Sequence, residues 1–350
     1  MPLVAHNPLP SFERLRQDGV TVLSTERAAG QEIRELHIGL LNMMPDAALE
    51  ATERQFMRLV GESNPIAQFY IHPFTLAALP RGEKAAAHIA AYYEDFAAIR
   101  EAGLDALIIT GANVSHPNLA DEPFWEPLIE VIDWAHDNVT STLCSCLATH
   151  AVMQFKYGQP RVKQPAKIWG VYEHRVTDAR HPLVADVNTR FDVPHSRWND
   201  VSRAQFAAAG VKVLAESEAA GVHLAVSPDG LSMVFFQGHP EYDTVSLLKE
   251  YKRDLLLAAA GKLPAFPPFP VRYFDRQAQA LLAEFGSRMQ AGESLAFPEA
   301  HLLPLLDNTW HDTAEAVIGN WIGCVYQVTH RERGLPFMPG IDPDNPLGLA

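Results

Sequence analysis

The sequence predicts an α/β protein, a mostly parallel sheet with helices on both faces. Three observations predict it. Short apolar, β-rich runs alternate with amphipathic stretches through the middle of the chain, the pattern of strands joined by helical crossovers. A chain of 350 residues can bury a sizeable core. Its 47% hydrophobic and 20% charged content is that of a globular protein rather than a disordered one.

Strands are expected at 37–42, 68–72, 106–110, 140–146, 211–216, 223–226 and 233–237. Helices are expected at 47–60, closed by Gly61, and at 83–102, 123–137, 147–156 and 244–260. The first places Leu49, Phe56, Leu59 and Val60 on about one face, as a core-packing helix requires. Residues 156–203 are rich in Pro, Trp, Tyr and His and read as irregular structure with short strands, the kind of segment that often lines a site. Beyond Gly261, a Pro-rich link at 263–270 leads into a separate helical pattern ending near Gln290. The last stretch, 336–350, carries Pro336, Pro339, Pro343 and Pro346 and reads as an extended, flexible tail. The chain thus divides into an N-terminal extension packing on the core (1–35), an α/β domain (36–262), a C-terminal helical extension (263–335) and the tail. There is no internal repeat.

The formal charge of −14 argues against nucleic acid or an anionic membrane as the main partner, because phosphate binding is driven by Lys and Arg. A local basic pocket for a small anion stays compatible with it. The N-terminus has no long apolar stretch of the secretory kind, and no apolar run is long enough to span a membrane. Three cysteines are too few for a disulfide framework and fit a reducing compartment, so a cytoplasmic protein is expected.

Two segments carry chemistry. Cys146 sits where the apolar run Thr142–Cys144 and Ser145 pass into a helical pattern beginning at Leu147. A sharp strand-to-helix turn projects one side chain above the sheet edge and presents backbone N–H groups to an oxyanion. The helix N-terminus also favours the thiolate. Read alone, Cys144 and Cys146 also suit two buried core thiols. A zinc pair is poorly supported, because no second Cys/His pair at ligand spacing follows. The second segment is a buried strand ending at Gly238, followed by His239-Pro240-Glu241. Side chains two apart at a strand end address one side, so Glu241 can hold one imidazole nitrogen of His239 and leave the other to accept a proton. A lone His-Pro-Glu is also an ordinary surface turn. A Cys at a strand-to-helix turn with a base and a carboxylate downstream makes the chemical reading the stronger one.

The pattern Cys146…His239-x-Glu241 resembles the class I glutamine amidotransferase-like, flavodoxin-like fold. Longer segments narrow the resemblance to the homoserine O-acyltransferase family, which comprises O-succinyl- and O-acetyltransferases of methionine biosynthesis. They are RAAGQEIR at 27–34, LNMMP at 41–45, LIITGA at 107–112, DNVTST at 137–142, GVYEH at 170–174, PHSR at 194–197, GHPEYD at 238–243 and NWI at 320–322. The resemblance implies that Cys146 carries the acyl thioester, His239 accepts the proton and Glu241 orients it. It further implies that Lys167, Ser196 and Arg253 contact the amino-acid substrate, with Lys and Arg suited to a carboxylate. It implies acyl-CoA as co-substrate, no tightly bound cofactor, no metal and a homodimer.

Three departures from the family stand out. Asp46-Ala47-Ala48 replaces a usual lysine-bearing segment, Leu147-Ala148-Thr149-His150 differs from the usual residues after the nucleophile, and Ser115 stands at the acyl-specificity position. A Glu at 115 would crowd and repel a succinyl carboxylate, whereas small, neutral Ser115 leaves room and can donate a hydrogen bond. Succinyl-CoA is therefore the expected donor and homoserine the acceptor. Acetyl-CoA as donor, serine as acceptor, and a glutaminase subunit using the same triad are the alternatives.

Overall fold

In the computed structural model the described residues are 3–31, 33–63 and 67–349. Eleven strands form one sheet: β1 Leu3–Ala5, β2 Val22–Ser24, β3 Glu35–Leu41, β4 Gln68–Phe74, β5 Ala106–Ile109, β6 Ser141–Ser145, β7 Val162–Val176, β8 Arg190–Asp200, β9 Lys212–Ser217, β10 Gly221–Val226 and β11 Met233–Phe236. Their spatial order is β2-β1-β4-β3-β5-β6-β11-β10-β9-β7-β8. The stretch from β2 to β11 is parallel, and β10, β9, β7 and β8 continue it antiparallel.

Within this sheet β4-β3-β5-β6-β11 has the flavodoxin-like order 2-1-3-4-5, whose strand order reverses beside β3. Ligands in such sheets bind outside the carboxyl ends of the strands at that reversal. The turns after β3, β5, β6 and β11 all open there.

The helices are α1 Pro10–Gln17, α2 Thr25–Ala29, α3 Asp46–Ser63, α4 Glu83–Tyr92, α5 Phe96–Ala102, α6 Trp125–Asn138, α7 Leu147–Tyr157, α8 Arg203–Ala208, α9 Ser246–Ala259, α10 Arg276–Gln290, α11 Glu299–Leu302 and α12 His311–Val328. They cover both faces of the sheet. One core joins α1, α3 and α12 to the sheet through Phe12, Phe56, Leu36, Ile38 and Trp321. The opposite core joins α5, α6 and α7 through Ile99, Leu128, Ile132 and Ala148. Strands β3, β5, β6 and β11 are buried on both faces, which is why they read as continuous apolar runs rather than as alternation.

Four expectations change. Residues 156–203 are not irregular: they form the long antiparallel pair β7 and β8, interrupted by a register shift between Lys163 and Ile168. The exposed first half of β7, with Gln164 and Pro165, hides the strand from a reading by hydrophobicity. The single helix expected at 83–102 is two. Glu94 breaks it, because its backbone N–H binds Pro73 O at 2.9 Å and its carboxylate meets His72 Nδ1 at 2.7 Å. The N-terminal segment, for which no strand was expected, adds β1 and β2 to the sheet edge. The flexible tail expected at 336–350 is instead laid against the core up to its last described residue, through Phe337, Ile341 and Leu347, with Met338 N bonded to Val328 O at 2.9 Å.

The C-terminal extension also shapes the site. A parallel bridge joins Gly170 to Val271, and Gly170, at φ 136°, leaves no room for a Cβ against the Val271 backbone. Trp169, Leu248, Tyr251, Phe274 and Leu282 form the core beneath it.

Candidate active site

Cys146 lies between the end of β6 and the first residue of α7, with φ 53° and ψ −105°. An L-residue at positive φ outside the left-handed helical well stores about 1–3 kcal/mol of strain and persists only where its surroundings hold it. Here they do. Cys146 N–H donates to Phe236 O at 2.7 Å. Thr149 Oγ1 donates to Cys144 O at 2.8 Å and Phe236 O at 2.9 Å, tying the first turn of α7 to β6 and β11. The strained turn lifts Cys146 out of the sheet, leaving it partly accessible while Cys144 is fully buried. Leu147 opens α7, so its N–H has no acceptor within the helix. Gly111, after β5, borders Cys146 so closely that an added Cβ would lie 3.7 Å from Cys146 Cβ.

His239 and Glu241 follow β11 directly. His239 N–H is anchored on Pro194 O at 2.8 Å, and its Nδ1 pairs with Glu241 Oε1 at 2.8 Å. The other face of the imidazole stacks on Tyr242, ring centroids 4.5 Å apart. The Cys146 sulfur is the other group that acts on this imidazole. Burial pushes the imidazolium down, but Glu241 and the Cys146 sulfur push it up further, so its pKa lies well above the ordinary value. The structure thus brings the Cys146 sulfur, the His239 imidazole and the Glu241 carboxylate together at the ends of β6 and β11.

The bed beneath His239 was not foreseen. His174, His195 and His223 are buried together, with His195 Nε2 3.2 Å from His174 Nε2 and Gly238 N–H donating to His223 Nδ1 at 3.3 Å. Burial holds all three below their ordinary value, His174 down to about 4, so they are neutral at neutral pH. Gly238 is required here: a Cβ would come within 2.6 Å of Val193 Cγ1 and 2.8 Å of His195 Nε2.

Two of the three expected substrate residues meet on a carboxylate that sequence reasoning missed. Lys167 Nζ lies 3.0 Å from Glu250 Oε2, and Ser196 Oγ donates to the same oxygen at 2.6 Å. Tyr242 O–H donates to Glu250 Oε1 at 2.9 Å, linking this group to the ring stacked on His239. Burial pushes the Glu250 carboxyl up, but Lys167, Ser196 and Tyr242 outweigh it and hold it below its usual value. The available signal was spacing, since Glu250 stands three residues before Arg253 on α9. Arg253 does not join the cluster; its side chain is 60% exposed and pairs with Asp254 at 2.7 Å. Ser115 is exposed, and its hydroxyl points to Glu122 Oε2 at 3.3 Å, while Glu122 Oε1 accepts the N–H groups of Ser115 and His116, each at 2.6 Å.

His6, His72 and Glu94, and likewise Glu62, His311 and Glu315, stand at metal-ligand spacing, but neither group includes a triad residue. No helix among the described residues is long and apolar enough to cross a membrane.

The model of the homoserine O-succinyltransferase family (HTS) matches residues 2–331. The chain belongs to the homoserine O-succinyltransferase family. The homoserine O-succinyltransferase of Thiobacillus denitrificans is 84% identical over 350 residues, covering 100% of each chain. That of Allochromatium vinosum is 65% identical over 355 residues, covering 100% of this chain and 99% of its own. Among solved structures, the chain is similar to a glutamine amidotransferase from Thermotoga maritima, with a TM-score of 0.46 at 11% identity, covering 83% of this chain and 98% of that one. Membership makes the chain an acyltransferase and sets aside the glutaminase alternative.

Proposed function

We propose that the protein transfers a succinyl group from succinyl-CoA to the hydroxyl of homoserine through an acyl thioester on Cys146. The observation that carries this reading is the connected triad on a strained turn, in a chain of this family. The raised pKa of His239 supports a proton held on the imidazole beside the Cys146 sulfur. The thiolate attacks the succinyl thioester, and backbone N–H groups of Leu147 and the Gly111 loop face the developing oxyanion. The tetrahedral adduct collapses, the C–S bond to coenzyme A breaks, and His239 gives its proton to the departing thiolate. His239 is then neutral and can take the proton of the homoserine hydroxyl as that oxygen attacks the acyl-enzyme. Expulsion of the Cys146 thiolate releases O-succinylhomoserine and restores the starting state.

The acceptor site in this reading is the Glu250 group. Glu250 receives the homoserine ammonium, Lys167 and Arg253 its carboxylate, and Ser196 lies beside them. Ser115 leaves the acyl channel the room that a larger side chain at this position would take. A homodimer in the cytoplasm completes the reading.

The test is intact-mass measurement after mixing the protein with succinyl-CoA alone. A succinyl adduct on Cys146 that disappears on adding homoserine is expected. Unimpaired turnover by Cys146→Ala would refute the mechanism.

A further inference from the structure

We propose that Arg161 is the subsite for the distal carboxylate of the acyl group, so that the protein selects its donor by charge. This rests on the reading of Cys146 as the acyl-carrying nucleophile. A succinyl thioester places a carboxylate within a few bonds of the carbonyl under attack, next to a thiolate and in a chain of net charge −14. A carboxylate moved there from water needs a cation and directed donors.

Most cations around the cleft are already committed. Arg197 is 2% exposed and gives its donors to His195, Asn199 O, Asp200 and Ala220 O. Lys167 is paired with Glu250. Arg81 is spent on Asn42 O, Met44 O, Thr75 and Asp46. Arg253 is paired with Asp254.

Arg161 differs. It stands immediately before β7, and only its Nη2 is engaged, donating to His116 O at 3.0 Å and Pro117 O at 3.4 Å. Its Nε is buried without a partner, as is that of Arg81, but Arg81 also meets the Asp46 carboxylate, whereas no carboxylate among the described residues lies at ion-pair distance from Arg161. A buried donor without a partner is costly unless a ligand satisfies it.

Its position fits. The loop that Arg161 grips runs from Gly111, at the wall of the nucleophile, through Ser115 to Pro117. Glu122 is consumed inside that loop by the Ser115 and His116 N–H groups, which leaves the guanidinium free for an external acid. Burial lowers the Arg161 pKa while Glu122 and the Cys146 sulfur raise it, placing the cation within electrostatic reach of the reacting thiolate. Ser115 then acts by leaving space, and Arg161 by supplying the charge.

The test compares Cys146 acylation by succinyl-CoA and by butyryl-CoA, a donor of equal chain length without the carboxylate, together with calorimetric binding of free coenzyme A. In Arg161→Gln, acylation by succinyl-CoA should fall on the order of 10- to 100-fold while butyryl-CoA changes less than about 3-fold. Affinity for free coenzyme A should be unchanged, and Arg161→Lys should recover part of the loss. Equal losses with both donors would mean a structural role, and parallel weakening of coenzyme A would mean a phosphate contact. Either result overturns the proposal. Failure of the wild-type protein to form any acyl-enzyme would overturn the Cys146 reading as well, which separates the two.

Discussion

Replacing Glu241 by Gln tests how the triad obtains its reactivity. The two side chains are nearly isosteric, and the amide oxygen can still accept from His239 Nδ1, so the perturbation removes charge more than geometry. Glu241 Oε1 lies 2.8 Å from Nδ1. With charge centres about 4 Å apart and an effective dielectric constant of about 20, the carboxylate stabilises the imidazolium by roughly 4 kcal/mol. The retained hydrogen bond and water entering beside the weaker partner reduce the loss to about 2–4 kcal/mol, or roughly 30- to 1,000-fold in the acylation rate. The pH dependence has a defined sign. Acylation uses the imidazolium, whose pKa Glu241 raises, so the variant should lose activity at lower pH than the wild type. The alkaline limb should therefore move downward. Rapid acid quench with succinyl-CoA alone, followed by intact-mass measurement from pH 6 to 10, reads rate and limb together. An acylation rate within about 3-fold of wild type with an unmoved alkaline limb would refute the argument that Glu241 acts by charge.

Two further predictions concern the supports of the site. Gly238→Ala forces a methyl group against Val193 and His195; overpacking of this kind costs about 1–3 kcal/mol and a few degrees of melting temperature, with a larger loss of turnover as His239 shifts. A melting temperature within about 1 °C of wild type with full activity would refute the required close approach. Glu250→Gln should raise the homoserine KM on the order of 10- to 100-fold while leaving single-turnover acylation by succinyl-CoA intact. Loss of acylation with an unchanged KM would place Glu250 in the wrong half-reaction.

What could be read from the sequence follows the range of the interactions involved. The doubly buried strands and the strand-to-helix turn at Cys146 declare themselves locally, because apolar runs and adjacent residues carry them. His239 and Glu241 are two residues apart, so their shared pocket is also a local inference. The Lys167–Ser196–Glu250 group is not local: β7, β8 and α9 meet only after the antiparallel half of the sheet has formed and α9 has packed on Trp169. The same holds for Arg161, whose meaning depends on which donors remain unused once the chain is folded. Residues 156–203 were misread because their strands are amphipathic in an irregular way, half exposed and broken by a bulge.

The buried histidines explain how one imidazole can be charged in this setting. The buried imidazoles of His195 and His223 act electrostatically on His239, and a second positive ring there would oppose its protonation. Burial keeps them neutral, so they serve as polarisable, hydrogen-bonding packing rather than as competing acids. The single proton that matters is therefore confined to the ring facing Glu241 and Cys146. The proposed double displacement needs that economy, because the proton given to coenzyme A in its first half must leave His239 neutral before homoserine can use it in the second. A ring beneath it that charged readily could return a proton between the halves, leaving the acyl-enzyme without a base.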